Sequence, residues 1–479
     1  MSVLIAAPCS GSGKTLLSLC LTALARRRGE AIQTFKVGPD YLDPQLLAAV
    51  AGRPCRNLDT LLCGPEWVRR SYAWHGSRAQ RVLVEGVMGL FDGRGPGSEA
   101  SSAEVAALLE LPVVLVVEAS RQAGSLAALV RGFRDHGPPA VRLAGVVLNR
   151  VAGERHRLLL SDALAAIAVP LLGVLPSDPA LALPSRHLGL HSPGEIDDLA
   201  VRQGQWADLA ERHLDLERLW PLLAAPGGGQ AVADDPVAWS LAAAGAEGAP
   251  PGPPPPPVPA GPPPVVAVAS DAAFHFRYPE AAELLRAVGL EPRPWSPLAD
   301  QPLPPTCSAV VLPGGYPELH GPALAAARRS RGDLHRAAAA GVPIVAECGG
   351  LLLLGQSLTD ADGLHHPMAG VLPLQAGPGR LSLGYRQATP RRDGLLVRRG
   401  EPLWGHEFHR WQLAAAAPHP LWDLEGWGVP SSPEGWGATR LHASWLHLHW
   451  AGQPAMVRRL AAAARLCQLD HLGQRRGVR

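Results

Sequence analysis

Lysine and asparagine are almost absent from this chain of 479 residues. Its 44 lysine and arginine residues include only two lysines, Lys14 and Lys36, and its only asparagines are Asn57 and Asn149. All four lie in the N-terminal half of the chain. Their placement indicates that a chemical requirement keeps these residue types there, against the bias of the composition. A compact ammonium on a flexible stem can approach a phosphate where a planar guanidinium does not fit.

Other scarce features exclude whole classes of function. The net charge is +2 with no long run of one sign, which argues against nucleic acid or an acidic membrane as partner. No apolar stretch reaches transmembrane length, and the seven cysteines are odd in number and scattered. We therefore expect a reduced, cytoplasmic enzyme whose cysteines are mostly buried or catalytic.

A proline-rich segment divides the chain. Residues 244–264 read AGAEGAPPGPPPPPVPAGPPP, a composition that cannot form a core and that behaves as a semi-rigid spacer. The length of the chain indicates two or three domains. We predict one domain over residues 1–243, a linker over 244–264 and a second domain over 265–479.

A glycine-rich turn follows the first apolar stretch. Residues 7–15 read APCSGSGKT, after the apolar residues 3–6 and before a helical pattern. This order is typical of a phosphate-binding loop, in which Lys14 reaches the β and γ oxygens and Thr15 holds Mg²⁺. The strict pattern has glycine where this chain has Pro8, so the entry to the loop should differ. The predicted ATP contacts in the loop are Ser10, Gly11, Ser12, Gly13, Lys14 and Thr15.

Short apolar strands alternate with amphipathic helical stretches before the linker. Near-continuous apolar segments such as PVVLVVEAS are typical of buried parallel strands, so the pattern predicts an α/β domain with a doubly wound parallel sheet. The predicted strands are residues 3–6, 81–87, 112–119, 144–149 and 170–175. Ligands of such sheets bind beyond the carboxyl ends of the strands. Asn149 ends one strand, where it would either contact adenine or form a structural Asx-turn.

Acidic residues also follow the predicted strands. Glu85 ends one strand and is placed to hold Mg²⁺ opposite Thr15, although a helix cap or a solvated loop acid would give the same pattern. Acids around a triphosphate repel it unless a cation bridges them, which implies one or two Mg²⁺ ions. A second polar cluster lies close to Lys36 and comprises Asp40, Tyr41 and Asp43.

The chain after the linker contains another strand, turn and helix. The apolar stretch 342–346 leads into residues 347–350 (ECGG) and a leucine-rich helix. This is typical of a nucleophile elbow, in which the Cys348 thiol lies exposed at a helix N-terminus, where its pKa falls. The segment PGGY would supply backbone N–H groups that complete an oxyanion hole formed by Gly315 and Gly349.

A thiolate nucleophile needs a base, and the segment ASWLHLHW near the C-terminus offers His447 and His449. One rival interpretation is a zinc site formed by the two histidines and a thiolate, which lacks a clear fourth ligand. Another is a buried structural cysteine at Cys348, but the elbow pattern around it favours the nucleophile.

Several motifs together closely resemble those of the cobyrinate a,c-diamide synthases. In chain order they read SGSGKT, FKVGPDYLDP, GRPCRNLD, EGVMGLFDG, GVVLNRV and LPSRHLGL. The resemblance covers nearly the whole chain. It implies a P-loop N-terminal domain similar to dethiobiotin synthetase. It also implies a flavodoxin-like C-terminal domain similar to the class I glutamine amidotransferases.

The resemblance also implies a reaction. Glutamine is hydrolysed at Cys348 through a thioester, and the triplet Trp445-Leu446-His447 places the base at His447. Many amidotransferases of this class carry glutamate two residues on, where this chain has His449, so a Cys–His dyad is expected. Ammonia passes internally to the synthetase site, where ATP phosphorylates a carboxylate and ammonia displaces phosphate.

The implied acceptor is cobyrinate, amidated at its a and c side chains in cobalamin biosynthesis. Hydrogenobyrinate or nickel sirohydrochlorin would keep the chemistry and change the acceptor. The expected partners are ATP, L-glutamine and a corrinoid macrocycle, without nucleic acid or membrane, and a homodimer is an assembly that the sequence allows. ATP is also expected to contact Lys36 and Asn149. The predicted Mg²⁺ ligands are Thr15, Asp40 and Glu85, and the predicted macrocycle contacts are Tyr41, Asp43 and Asp92.

Two alternatives fit the sequence less well. A ParA/MinD-like ATPase switch would resemble the N-terminal half, but such proteins carry an extra lysine early in the phosphate loop, where this chain has Pro8-Cys9-Ser10. They also lack a glutaminase half. A synthetase with an inactive glutaminase is disfavoured because both Cys348 and a matching histidine are present.

Overall fold

A computed structural model of the chain describes residues 2–178, 183, 185–186, 189–226, 234–243 and 261–476. The chain divides into an N-terminal unit, Met1–Pro236, and a C-terminal unit, Val237–Arg479. The helix Pro236–Ala243 is hydrogen-bonded to the rest of the C-terminal unit. Its Ser240 Oγ donates to the Ala451 carbonyl at 2.8 Å. Most of the predicted linker, residues 244–260, lies outside the described residues, and the predicted domain boundaries stay predictions.

The N-terminal unit is built on a seven-stranded parallel sheet, ordered β3-β2-β4-β1-β5-β6-β7. Its strands are β1 Val3–Ala6, β2 Ile32–Val37, β3 Arg56–Leu58, β4 Arg81–Glu85, β5 Pro112–Glu118, β6 Arg142–Val151 and β7 Leu171–Pro176. A short hairpin follows, β8 Ser185–Arg186 and β9 Gly189–Leu190. The predicted doubly wound sheet is confirmed, but β2 and β3 were not predicted.

Helices cover both faces of this sheet. They are α1 Lys14–Arg27, α2 Leu42–Ala51, α3 Pro65–Gly76, α4 Ser102–Leu108, α5 Ser125–Asp135, α6 Glu154–Ala165, α7 Leu199–His213 and α8 Leu216–Leu219. Two apolar cores result, one on each face of the sheet. Because β5 is covered on both faces, its valine-rich sequence is continuous rather than alternating.

The C-terminal unit contains a larger mixed sheet, ordered β11-β10-β12-β13-β20-β19-β18-β16-β14-β15, with β17 paired to β16. Its strands are β10 Val265–Ala269, β11 Glu291–Trp295, β12 Cys307–Leu312, β13 Ile344–Glu347, β14 Ser357–Thr359, β15 His365–Pro367, β16 Gln375–Pro390, β17 Leu403–Leu413, β18 Pro420–Gly426, β19 Val429–Ala438 and β20 Leu441–Ser444. Its helices are α9 Pro236–Ala243, α10 Pro279–Ala287, α11 Gly321–Ala326, α12 Arg328–Ala339, α13 Gly349–Leu354 and α14 Pro454–Arg476.

One half of this mixed sheet is parallel, from β11 to β20. The carboxyl ends of β12, β13 and β20 therefore meet at one edge of the sheet. The PGGY segment follows β12, Cys348 follows β13, and the segment that carries His447 follows β20. Within the described ranges, no helix is long and apolar enough to cross a membrane.

Candidate active sites

The phosphate-binding loop lies between β1 and α1. Gly11 and Gly13 adopt φ values of +79° and +111°, a region that favours glycine. A Cβ at Gly13 would come within 2.3 Å of Asn149 Nδ2. That amide donates to the Ser12 carbonyl at 3.0 Å. Asn149 therefore packs against the loop and fixes its backbone.

Lys14 lies at the first turn of α1 with its side chain largely buried. Its ammonium donates to the Met88 carbonyl at 2.6 Å and to the Cys9 carbonyl at 3.4 Å. Burial, together with the charge of Lys36, lowers the pKa of Lys14. Because an ammonium bonds more strongly to a charged phosphate oxygen than to a neutral carbonyl, Lys14 is well placed for an anionic ligand.

Lys36 is enclosed by three carboxylates, and only 1% of it is exposed. Its ammonium lies 2.5 Å from Asp43 Oδ2, 2.7 Å from Glu85 Oε1 and 3.5 Å from Asp40 Oδ2. Burial disfavours the charged form of Lys36 and by itself would lower its pKa. The negative charges of the three carboxylates outweigh this effect and raise the pKa of Lys36 well above its usual value. The predicted contact of Lys36 with the γ-phosphate stays a prediction, and in this structure its ammonium is already surrounded by acids.

The pKa values of Asp40 and Asp43 are shifted in opposite directions. Burial, followed by the charge of Asp43, raises the pKa of Asp40 to about 7. Burial also acts on Asp43, but the Lys36 ammonium and its hydrogen bond hold the pKa of Asp43 below its usual value. Thr15 Oγ1 donates to Glu85 Oε1 at 2.9 Å, which joins the cluster to the phosphate loop.

A cavity of about 860 Å³ opens over the loop and the acid cluster. Among its lining are the predicted residues Ser10, Gly11, Gly13, Lys14, Thr15, Lys36, Asp40, Asp43 and Asn149. Four other predicted residues do not line it in the described part of the chain: Ser12, Tyr41, Glu85 and Asp92. Asp92 instead accepts the Gly89 N–H at 2.7 Å and so closes the loop after β4.

The sequence interpretation missed several residues of this cavity. Ser120 and Asp178 lie just beyond the carboxyl ends of β5 and β7, and Arg150 is the penultimate residue of β6. Their place at the carboxyl edge of the sheet was the available signal. Asn57 donates to the carbonyls of Gly38 and Asp40, both at 2.8 Å, and so supports the turn that carries Asp40. In the LPSRHLGL motif, residues 184 and 187–188 lie outside the described residues.

The turn at Cys348 has the backbone geometry of an elbow. Cys348 adopts φ 47° and ψ −109°, a left-handed φ that is uncommon for a residue with a side chain. Its N–H donates to the Ser444 carbonyl at 2.7 Å. A Cβ at Gly350 would come within 2.1 Å of the Leu312 carbonyl, so the close approach of the elbow to β12 requires glycine there.

The Cys348 thiol is buried rather than exposed. Its side chain is enclosed, with Sγ 3.6 Å from the Phe408 carbonyl of β17, and 3% of the residue is exposed. Burial, with a smaller contribution from the charge of Glu318, raises the pKa of Cys348 well above its usual value. The sequence interpretation of an exposed thiol with a lowered pKa was therefore wrong, because β17 covers the elbow.

The backbone of the PGGY segment approaches the elbow closely. A Cβ at Gly349 would lie 3.0 Å from the Gly315 nitrogen. A Cβ at Gly315 would lie 2.1 Å from the Ala273 carbonyl. The two segments thus bring together the backbone of the residues predicted to form an oxyanion hole, and that role stays a prediction.

His447 is fully buried beside the same segment. A Cβ at Gly314 would come within 2.3 Å of its Cε1. Its backbone pairs with His406 through two reciprocal hydrogen bonds of 2.9 Å. Burial, reinforced by His406 and His409, lowers the pKa of His447 to about 3, so its imidazole is neutral at pH 7.

His449 lies in a separate buried environment. Its ring centroid is 4.1 Å from that of Tyr278, and its Nε2 is 3.9 Å from Glu280 Oε2. Both neighbours lie at the start of α10. His447 and His449 therefore contact different parts of the C-terminal unit.

Two family models match the chain. Residues 3–190 match the CobQ/CobB/MinD/ParA nucleotide binding domain, and residues 265–455 match the CobB/CobQ-like glutamine amidotransferase domain. Fold and sites thus define a two-domain protein with one nucleotide-binding unit and one glutamine amidotransferase unit.

Curated relatives extend over nearly the whole chain. The cobyrinate a,c-diamide synthase of Gloeobacter violaceus is 44% identical over 96% of each chain. That of Synechocystis is 40% identical over 99% of this chain and 96% of the relative. The hydrogenobyrinate a,c-diamide synthase of Streptomyces coelicolor is 42% identical over 97% of each. The chain belongs to the family of cobyrinate and hydrogenobyrinate a,c-diamide synthases, which confirms the resemblance seen in the sequence.

Proposed function

We propose that this chain amidates the a and c carboxylates of cobyrinate in cobalamin biosynthesis, using ATP and the amide nitrogen of glutamine. The observation that carries the proposal is the presence in one chain of a phosphate loop joined to an acid cluster and of a cysteine elbow and a buried histidine that both lie against the PGGY segment. Hydrogenobyrinate is a second candidate acceptor, because the Streptomyces relative is as similar to this chain as the cobyrinate synthases are.

Glutamine hydrolysis starts from a neutral pair. The His447 imidazole takes the proton of the Cys348 thiol, and the thiolate attacks the side-chain carboxamide of glutamine. The Gly315 and Gly349 N–H groups stabilise the tetrahedral oxyanion. The protonated His447 then gives its proton to the departing ammonia. Water hydrolyses the resulting thioester to glutamate and restores the thiol.

Amide synthesis takes place in the N-terminal unit. The phosphate loop and Lys14 hold the triphosphate of ATP, and a carboxylate of the macrocycle attacks the γ-phosphorus to give an acyl phosphate. Ammonia then displaces phosphate and leaves the amide. Lys36 keeps Asp43 and Glu85 from repelling the triphosphate, because it offsets their charge at short range.

The residues beside the phosphate loop fit Mg²⁺. Across the described segments, no group of three or more His, Cys, Asp or Glu side chains is arranged to hold a metal by itself. Mg²⁺ does not need such a group, since it commonly uses one or two carboxylates together with substrate phosphates and water. Thr15 and Asp40, which line the cavity, would supply such oxygens, and the ion would offset charge on the transferring phosphoryl group. Glu85, which does not line the cavity, would orient the Thr15 hydroxyl that it accepts from.

The acceptor is identified by a direct assay. The purified chain is incubated with ATP, Mg²⁺ and glutamine, and cobyrinate, hydrogenobyrinate or nickel sirohydrochlorin is offered in turn. We expect a product carrying two amides from cobyrinate, read by mass spectrometry. Amidation of hydrogenobyrinate alone would move the assignment to the second candidate, and no amidation of any macrocycle would contradict the proposal.

A further inference from the structure

A single carboxylate holds the segment that leads to His447. Glu434 of β19 accepts through Oε2 from Ser444 Oγ at 2.6 Å and from Trp422 Nε1 at 2.7 Å. Its Oε1 accepts from the Trp445 N–H at 3.1 Å. Three donors from two neighbouring strands and the segment after β20 converge on this one side chain, which therefore fixes the end of β20.

Ser444 connects this carboxylate to Cys348 and to Leu446, the residue before His447. Its hydroxyl, which donates to Glu434, accepts from the Leu446 N–H at 2.9 Å. Its carbonyl accepts from the Cys348 N–H at 2.7 Å. One residue is therefore bonded to the backbone of the nucleophile and to the residue that precedes the base.

The side chain of Trp445 is fixed independently of its backbone. Its ring stacks on the His409 ring with centroids 4.0 Å apart and planes 9° apart. His409 Nδ1 is bonded in turn to the Trp411 carbonyl at 2.7 Å. The residue two positions before His447 is thus held by Glu434 at its N–H and by β17 at its ring.

From this geometry we infer that Glu434 is a positioning residue of the glutaminase site and sets the relative placement of Cys348 and His447 through Ser444. Proton transfer needs the thiol and the imidazole within hydrogen-bond reach, and a misplacement of about 1 Å can cost on the order of 100-fold in rate. The inference rests on the glutamine hydrolysis proposed above.

The test compares Glu434→Gln and Ser444→Ala with a control, Glu425→Gln, which changes an exposed glutamate of the adjacent strand β18. Glutamine at position 434 keeps the shape but turns an amide NH₂ group toward one of the three donors. We expect kcat for glutamine hydrolysis to fall at least about 10-fold with KM within about 3-fold, because the transition state rather than binding is affected. Ammonium-dependent amidation by the same preparations, and the control variant, should be unchanged.

Several outcomes would overturn the inference. Retention of kcat within about 2-fold would do so, as would equal losses of glutaminase and ammonium-dependent activity, which a general structural role predicts. If Glu434→Gln does not fold, Ser444→Ala decides, since it removes only one hydroxyl; failure of both to fold would also make the role structural. A wild-type chain that does not hydrolyse glutamine would instead contradict the proposed function.

Discussion

Replacing Lys36 with methionine should destabilise the N-terminal unit severely. The change removes an ammonium that lies 2.5 Å from Asp43 and 2.7 Å from Glu85 in a side chain that is 1% exposed. Breaking a buried ion pair by removing one partner costs about 3–5 kcal/mol, because the remaining charge stays buried and unpaired. In a unit of this size, 1 kcal/mol shifts Tm by about 2–4 °C, so we expect a loss of roughly 6–20 °C.

Lys36→Arg is the matched control, since it keeps the charge and changes the shape. The three donors of the ammonium match three carboxylates in an enclosed space, whereas a guanidinium is planar and larger. Overpacking of this kind costs about 1–3 kcal/mol, so the arginine variant should lose less stability than the methionine variant. Its ammonium-dependent amidation should still fall strongly, because the carboxylates are displaced.

The deficit of Lys36→Met should depend on pH. The pKa of Asp40 is about 7 in the folded chain, raised from 3.8, so the ionised form of Asp40 costs stability as pH rises through 7. At pH 5 the cluster holds fewer negative charges, and the loss of the ammonium matters less. Differential scanning calorimetry at pH 5 and pH 7.5 would measure both deficits. Equal deficits at the two pH values, or no destabilisation, would refute the reasoning.

Three further predictions concern the two sites. His447→Ala should abolish glutamine-dependent amidation and His449→Ala should reduce it less, because His447 lies against the PGGY segment and His449 against the start of α10. Initial rates with glutamine would show a reversal if the base were His449. Lys14→Ala should lower ammonium-dependent amidation by on the order of 100-fold, as expected for a lost transition-state contact, and near-normal rates would contradict its placement. Iodoacetamide should modify Cys348 at least about tenfold more slowly at pH 7 than the exposed Cys9, since burial raises the pKa of Cys348, and equal rates by peptide mass spectrometry would argue against this burial.

Features built from one continuous stretch of the chain could be predicted from the sequence. The phosphate loop and the elbow each consist of a strand, a tight turn and a helix that are contiguous, so their residues could be placed without knowing the rest of the fold. The strand β2 was missed because its sequence, IQTFKV, is half polar and has neither regular alternation nor a continuous apolar run, yet the whole strand is buried. The charge of Lys36 is balanced by buried carboxylates of the N-terminal unit, and no local sequence pattern shows this.

Contacts between distant segments could not be predicted. Lys36 meets Glu85 because β2 pairs with β4 in a register that sets these two residues side by side. Cys348 is buried because β17, about sixty residues later, covers the elbow with the Phe408 carbonyl. Glu434 reaches Ser444 only through the pairing of β19 with β20. In each case the chemistry of a side chain depends on strand pairing.

The transfer of nitrogen between two sites is tested most directly by Cys348→Ala. Amidation of cobyrinate by the purified variant would be measured by mass spectrometry with ATP and Mg²⁺, once with glutamine and once with high ammonium. The account predicts no amide product with glutamine and a wild-type rate with ammonium, because the thiol serves only to release ammonia. A folded variant that ammonium fails to rescue, or that still uses glutamine, would contradict it.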